Sequence, residues 1–109
     1  MEDLKHKKCT PCEGGIKPFN REKINYYLNA APDWEVIEDK IIKKEFSFKN
    51  FAEAVEFVNK VANLAEEEGH HPDISLHNWN KVTLILTTHA INGLSSNDFI
   101  MAVKIDLIQ

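Results

Sequence analysis

Apolar residues recur along this chain with two periods, and the changes of period divide it into seven elements. Asn20 reads as the N-cap of a short helix running to about Asn29 and carrying Ile24, Tyr27 and Leu28. Pro32-Asp33 ends it. Trp34–Ile37 and Ile41–Phe48 then read as a hairpin around Glu38-Asp39-Lys40, with Phe46 and Phe48 alternating against Ser47 and Lys49. Asn50 caps the strongest helix, about 51–68, with Glu53 at the third position in the manner of a capping box. Phe51, Ala54, Val55, Phe57, Val58, Val61, Ala62, Leu64 and Ala65 belong to its apolar set, and Glu53, Glu56, Lys60, Asn63 and Glu67 form its polar stripe. At 100° per residue Glu66 falls among Val55, Ala62 and Ala52 on the core side. Glu68 also leans inward, so periodicity alone leaves open which carboxylate is buried. Gly69 ends this helix as a left-handed residue would.

After Pro72 comes a second strand pair, about 74–78 and 82–89, turning near Asn78-Trp79-Asn80-Lys81. In the last strand Val82, Leu84 and Leu86 share one face, and Thr83, Ile85, Thr87 and His89 share the other. Ser95 caps a final helix to about Leu107, with Asp98 at its third position. That helix is apolar nearly all round, which predicts a second copy of the chain as its cover. Helix, two strands, helix, two strands, helix implies an α+β fold. The expected architecture is one four-stranded, mainly antiparallel sheet with three helices on one face, over residues 19–109. Residues 1–18 read as a flexible tail.

At 109 residues the chain suits a single domain, and its net charge of −4 argues against a nucleic-acid-binding face. Lys5-His6-Lys7-Lys8 is the one basic cluster, and it lies in the tail. No apolar run approaches bilayer length and the first residues carry no signal core, so a cytoplasmic protein without membrane association is expected. Two cysteines cannot make a disulfide framework. Cys9-Thr10-Pro11-Cys12 reads as two free thiols, with half a zinc site or a redox dithiol as the alternatives.

His70, His71, His77 and His89 fall within twenty residues, flanked by Glu66 and Asp98. Imidazole both gives and takes a proton near neutral pH, so this block points to proton transfer. Each member also has a purely structural reading. His70-His71-Pro72 could be a solvated connector, since Pro72 favours an extended His71 and extended neighbours diverge. His89 could be an exposed strand end. Thr87 and Thr88 are ordinary strand formers, Trp34 and Trp79 ordinary packing residues, and Asp98 an ordinary helix-start anion. No His-Glu-x-x-His stands in the chain, so no metal-ligand set is assigned. Ser95 and Ser96 look committed to capping, no cysteine neighbours the histidines, and no glycine-rich loop suits a nucleotide.

The series Glu-x3-His-His-Pro-x6-Trp-x9-His-x8-Asp, filled by Glu66, His70, His71, Pro72, Trp79, His89 and Asp98, resembles the signature of the pterin-4a-carbinolamine dehydratases. The likeness runs from about Trp34 to the C-terminus and includes Phe46-Ser47-Phe48-Lys49, Asn80-Lys81-Val82 and Thr87-Thr88-His89. Trp79 stands where many members have tyrosine, and the tail lies outside the family core. The resemblance implies dehydration of a 4a-hydroxytetrahydropterin to a quinonoid dihydropterin, without a cofactor. It implies His70, His71 and His89 as catalytic residues. Glu66, Pro72, Trp79, Thr87, Thr88, Ala90, Asp98 and Trp34 would contact or orient the pterin. It also implies a homodimer or homotetramer and a functional link to a pterin-dependent aromatic amino-acid hydroxylase. A non-catalytic dimerisation module, or a small metalloprotein using the histidines or Cys9 and Cys12, is the alternative.

Overall fold

Three helices cover one face of a four-stranded antiparallel sheet in the computed structural model, which describes residues 3–10 and 16–109. Helix α1 spans Arg21–Leu28, strand β1 Glu35–Ile37, β2 Ile41–Ser47, α2 Phe51–Glu68, β3 Asp73–His77, β4 Lys81–Leu86 and α3 Ser96–Ile108. The strand order is β1-β2-β4-β3, so the second hairpin inserts β4 beside β2 and leaves β1 and β3 as edges. Both hairpin turns place two consecutive residues in the left-handed region, Glu38-Asp39 and Asn78-Trp79. That is the backbone that lets a tight turn match the twist of its strands.

Register sets the core. Ile42 faces Leu86 and Phe46 faces Val82 across the β2–β4 ladder, and with Leu84 these side chains form the buried sheet face. Ala54, Phe57, Val61 and Ala65 of α2 descend onto it at helical spacing. This stripe continues to Glu68 and not to Glu66, which corrects the placement of Glu66 on the core side. The N-terminus of α2 differs in detail as well. Asn50 Oδ1 accepts the Glu53 N–H at 2.8 Å, while Glu53 Oε1 accepts from Lys49 N–H at 3.4 Å instead of closing a capping box on Asn50.

The first two turns of the final helix are covered by its own chain. Residues 97–102 and Ile105 of α3 are buried, packed by α1, α2, β4 and a 3-10 turn at Leu4–His6. Of the apolar circumference read in the sequence, Val103 and Ile108 are half-buried and Leu107 is 65% exposed, so the C-terminal end of α3 is the part that its own chain leaves open. Residues 3–10, which read as tail, instead lie against the helices, and Leu4 joins the core because α3 offers it an apolar groove. Trp34 is buried too, with its indole N–H donating to Asp106 at 3.2 Å, where Lys44 Nζ also donates at 2.8 Å. No helix among the described residues is long and apolar enough to cross a membrane.

Candidate active site

Two helix ends and one strand end meet at the same corner of the sheet. Gly69, at φ +67°, stops α2 and turns the chain sharply, so that His70 and His71 leave in different directions. His70 swings under the start of α3, where its Nε2 meets Asp98 Oδ1 at 2.7 Å, with 11% of its side chain exposed and none of the aspartate's. His71 points outward and its Nε2 meets Glu66 Oε2, one turn back on α2, at 2.5 Å. The divergence expected of an extended pair is thus real, and each imidazole has its own carboxylate. A Cβ on Gly69 would touch nothing within 4 Å, so Gly69→Ala isolates the conformational term. It is expected to lower the urea midpoint by the equivalent of about 1 kcal/mol at unchanged slope.

Asp98 does two jobs that the sequence presents as alternatives. Its Oδ2 accepts the Ser95 N–H at 3.0 Å, completing the capping box of α3, and also accepts from Thr88 Oγ1 at 2.8 Å. Its Oδ1 is left for His70. Since the Thr88 hydroxyl gives its one hydrogen to the carboxylate, the 2.8 Å contact between Thr88 and Ser95 hydroxyls is donated by Ser95. With Nε2 of His70 fixed on an anion, Nδ1 is the nitrogen left to exchange a proton.

The strand carrying Thr87 and Thr88 ends earlier than the alternation suggests. Ladder pairing stops at Leu86, and His89–Ile91 form a 3-10 turn closed by a bridge between Thr88 and Gly93. Thr88 still keeps the alternation, following Leu86 on the buried face, where its hydroxyl meets Asp98. Thr87 turns the other way and donates to the Lys40 carbonyl at 2.6 Å. His89 then projects, exposed, from the turn, and no partner for its ring stands among the described residues.

Between these groups lies a cleft of about 250 Å³ that brings together His70, His71, Thr87, Thr88, His89 and Ala90. That is slightly under the roughly 300–1,000 Å³ of ordinary ligand pockets and in the range for a flat bicyclic ring. Glu66 and Asp98 stand behind the two imidazoles they bond. Pro72, Trp34 and Trp79 do not line the cleft. Trp34 belongs to the core, while Trp79 sits exposed at the tip of the β3–β4 turn. His77 bonds Thr83 on the sheet, away from the other histidines. Three lining residues escaped the sequence reading: Thr10, Gly69 and Asn97. Only Gly69 carried a signal, and it was a helix-end signal.

Beside the cleft, Glu68 is nearly buried and its Oε2 accepts from Lys104 Nζ at 2.7 Å, while Oε1 accepts the Cys9 N–H at 2.9 Å. Burial pushes this carboxyl up, but Lys104, the Cys9 N–H and nearby Lys8 outweigh it and hold Glu68 below its ordinary value of 4.5. The unfolded chain therefore takes up this proton first, so the stabilisation is complete above pH 4.5 and is lost as pH falls through the folded value. In urea unfolding, Glu68→Gln is expected to be less stable than the parent at pH 7, with the gap narrowing once pH drops below 4.5. A gap independent of pH would contradict this. Burial, and then the Glu68 charge, push the Cys9 thiol up to about 12, which keeps it protonated and a poor nucleophile at neutral pH. Cys12, the other half of the expected pair, lies outside the described residues. Among the described residues no three His, Cys, Asp or Glu side chains gather as a metal-ligand group.

Comparison with known proteins gives a consistent picture. The family pattern described as Pterin 4 alpha carbinolamine dehydratase matches residues 17–108. A protein of Rubrobacter xylanophilus that carries the provisional name pterin-4-alpha-carbinolamine dehydratase is 42% identical over 97% of this chain and 98% of its own length. An Alkaliphilus metalliredigens protein of the same provisional name is 46% identical over 97% and 96%. A Brucella melitensis crystal structure titled transcriptional coactivator/pterin dehydratase superposes with a TM-score of 0.77 at 31% identity, covering 84% of this chain and 98% of that one.

Proposed function

This chain belongs to the pterin 4 alpha carbinolamine dehydratase family, and we propose that it removes water from a 4a-hydroxytetrahydropterin to give a quinonoid dihydropterin. The observation that carries this reading is the convergence of His70, His71 and His89 from a post-helix loop and a 3-10 turn onto one cleft. In the reaction the C4a–O bond breaks and the oxygen leaves as water, which requires a proton from an acid. The N5–H proton passes to a base, and the electrons of that bond become the C4a=N5 double bond. One proton is donated and one received, so the protein returns to its starting state once its two groups re-equilibrate.

His70 and His89 carry these transfers in our assignment. His70 is oriented by Asp98 and exchanges through Nδ1, while His89 stands at the opposite chain segment with no ring partner among the described residues. His71, held by Glu66 at the rim, steadies the ring. Both threonine hydroxyls already have partners inside the protein, so the amide-like edge of the pterin is assigned to backbone around Ala90. Positioned acids and bases of this kind typically contribute about 10²–10⁴-fold. The dimerisation-module alternative would use the end of α3 that the chain itself leaves open, where Leu107 is 65% exposed. A physiological link to a pterin-dependent aromatic amino-acid hydroxylase, a cytoplasmic location and a homo-oligomeric state remain part of the proposal. The direct test generates the 4a-carbinolamine chemically and follows its disappearance by ultraviolet absorbance. Catalytic amounts of the chain are expected to accelerate the decay, and an unchanged decay rate would overturn the reading.

A further inference from the structure

One wall of the cleft comes from outside the family match, which begins at residue 17. Residues 8–10 run across the end of α2 and the start of α3, and Thr10 lines the cleft together with Asn97. Asn97 is 4% exposed and meets Thr10 with both ends of its side-chain amide. Its Oδ1 accepts the Thr10 N–H at 3.0 Å and its Nδ2 donates to the Thr10 carbonyl at 2.6 Å. One side chain thus gives this segment the pair of bonds a neighbouring strand would give. The preceding residue is held independently, since Cys9 N–H donates to Glu68 and its thiol to the Asn97 carbonyl at 3.6 Å. Lys8 Nζ adds a bond to the Glu67 carbonyl at 3.4 Å.

Buried amides and carboxylates destabilise a fold unless their polar atoms find partners. Here two nearly buried groups, Asn97 and Glu68, direct theirs at the backbone of a three-residue segment that is otherwise largely exposed. Glu68 also has Lys104 as a side-chain partner, whereas both ends of the Asn97 amide are directed at Thr10. What this arrangement adds is a fixed position for Thr10 at the mouth of the cleft, next to the residue that follows Gly69 and adjoins Asp98 in space. We propose that Thr10, tethered through Lys8 and Cys9, forms a substrate-contacting wall that determines how tightly the pterin is held. Asn97 is the positioning residue that keeps this wall in place. The inference rests on the pterin reading above, and it assigns these residues no proton transfer. Their contribution is therefore uniform binding, which shows in KM and not in kcat.

Two variants of the full chain test it. Thr10→Trp places a large ring at an exposed lining position, where substitution is of little consequence for folding. Asn97→Leu removes both bonds to Thr10 while keeping the branched heavy-atom skeleton of the side chain. Both are expected to raise KM for chemically generated 4a-hydroxytetrahydropterin about tenfold, with kcat within about twofold. Fluorescence titration with 7,8-dihydropterin should show Kd weakened by the same factor. If Asn97→Leu fails to fold, Thr10→Trp alone decides. A parent chain that binds 7,8-dihydropterin beside variants with unchanged KM and Kd would overturn the wall and leave the dehydratase reading standing. A parent chain that neither binds nor turns over any pterin would overturn both.

Discussion

Alanine at His70 is expected to reduce kcat for carbinolamine dehydration about 10²–10⁴-fold, and alanine at His89 by a similar factor. The two substitutions should differ in every other respect. His89 is exposed and has no ring partner among the described residues, so its removal should leave the unfolding midpoint within about 0.5 kcal/mol of the parent. His70 is largely buried against Asp98. Its removal strips that carboxylate of one of its partners while leaving the Thr88 and Ser95 bonds, for a loss of about 1–3 kcal/mol. Rates near those of the parent in both variants would reject the assignment of the acid and base. A large rate loss in His70→Ala alone would place both transfers on His70.

Asp98 is expected to be the single most sensitive position, because capping, cross-linking and imidazole orientation all pass through its two oxygens. Asp98→Ala removes the cap of α3 and leaves Thr88 and His70 without their acceptor. A stability loss of about 2–4 kcal/mol follows from those two effects together, a large share of the roughly 5–15 kcal/mol that holds an ordinary domain. Asp98→Asn separates the roles. An amide oxygen still accepts from Ser95 N–H and Thr88, so folding should be largely retained. Its NH₂ group, however, faces His70 and compels Nε2 to accept. The proton then moves to Nδ1, and the tautomer presented to the substrate is inverted. A kcat loss on the order of 10²–10⁴-fold is expected, as when a catalytic imidazole loses its orienting carboxylate. Chemical denaturation and steady-state kinetics on both variants check this. Full activity in Asp98→Asn would show that His70 does not depend on its carboxylate.

The elements were legible because each announces itself at short range. Asn20, Asn50 and Ser95 cap their helices as their side chains suggest, and Gly69 ends α2 where only a left-handed residue fits. Alternation in β4 gave the buried face, and the histidine spacing gave the imidazoles of the cleft. What was not legible depends on groups far apart in the chain. The bond that the Thr88 hydroxyl makes is to an aspartate ten residues later. The choice between Glu66 and Glu68 is decided by Lys104 and the Cys9 N–H, neither of which helical period can reveal. Nothing in residues 1–18 signals that Leu4 will pack against α3. Thr10 and Asn97 were missed for the same reason: one is a polar residue in an unpatterned segment, the other a polar residue that looks like helix-start surface.

The claim beneath all of this is that three rings, separated by up to nineteen residues, share one ligand. Nitrogen-15 NMR of imidazole-labelled protein titrated with 7,8-dihydropterin observes it directly. The account predicts that His70, His71 and His89 resonances shift together with one saturation curve, while those of His6 and His77 stay in place. Shifts confined to a single one of the three rings, or centred on His6 or His77, would contradict it.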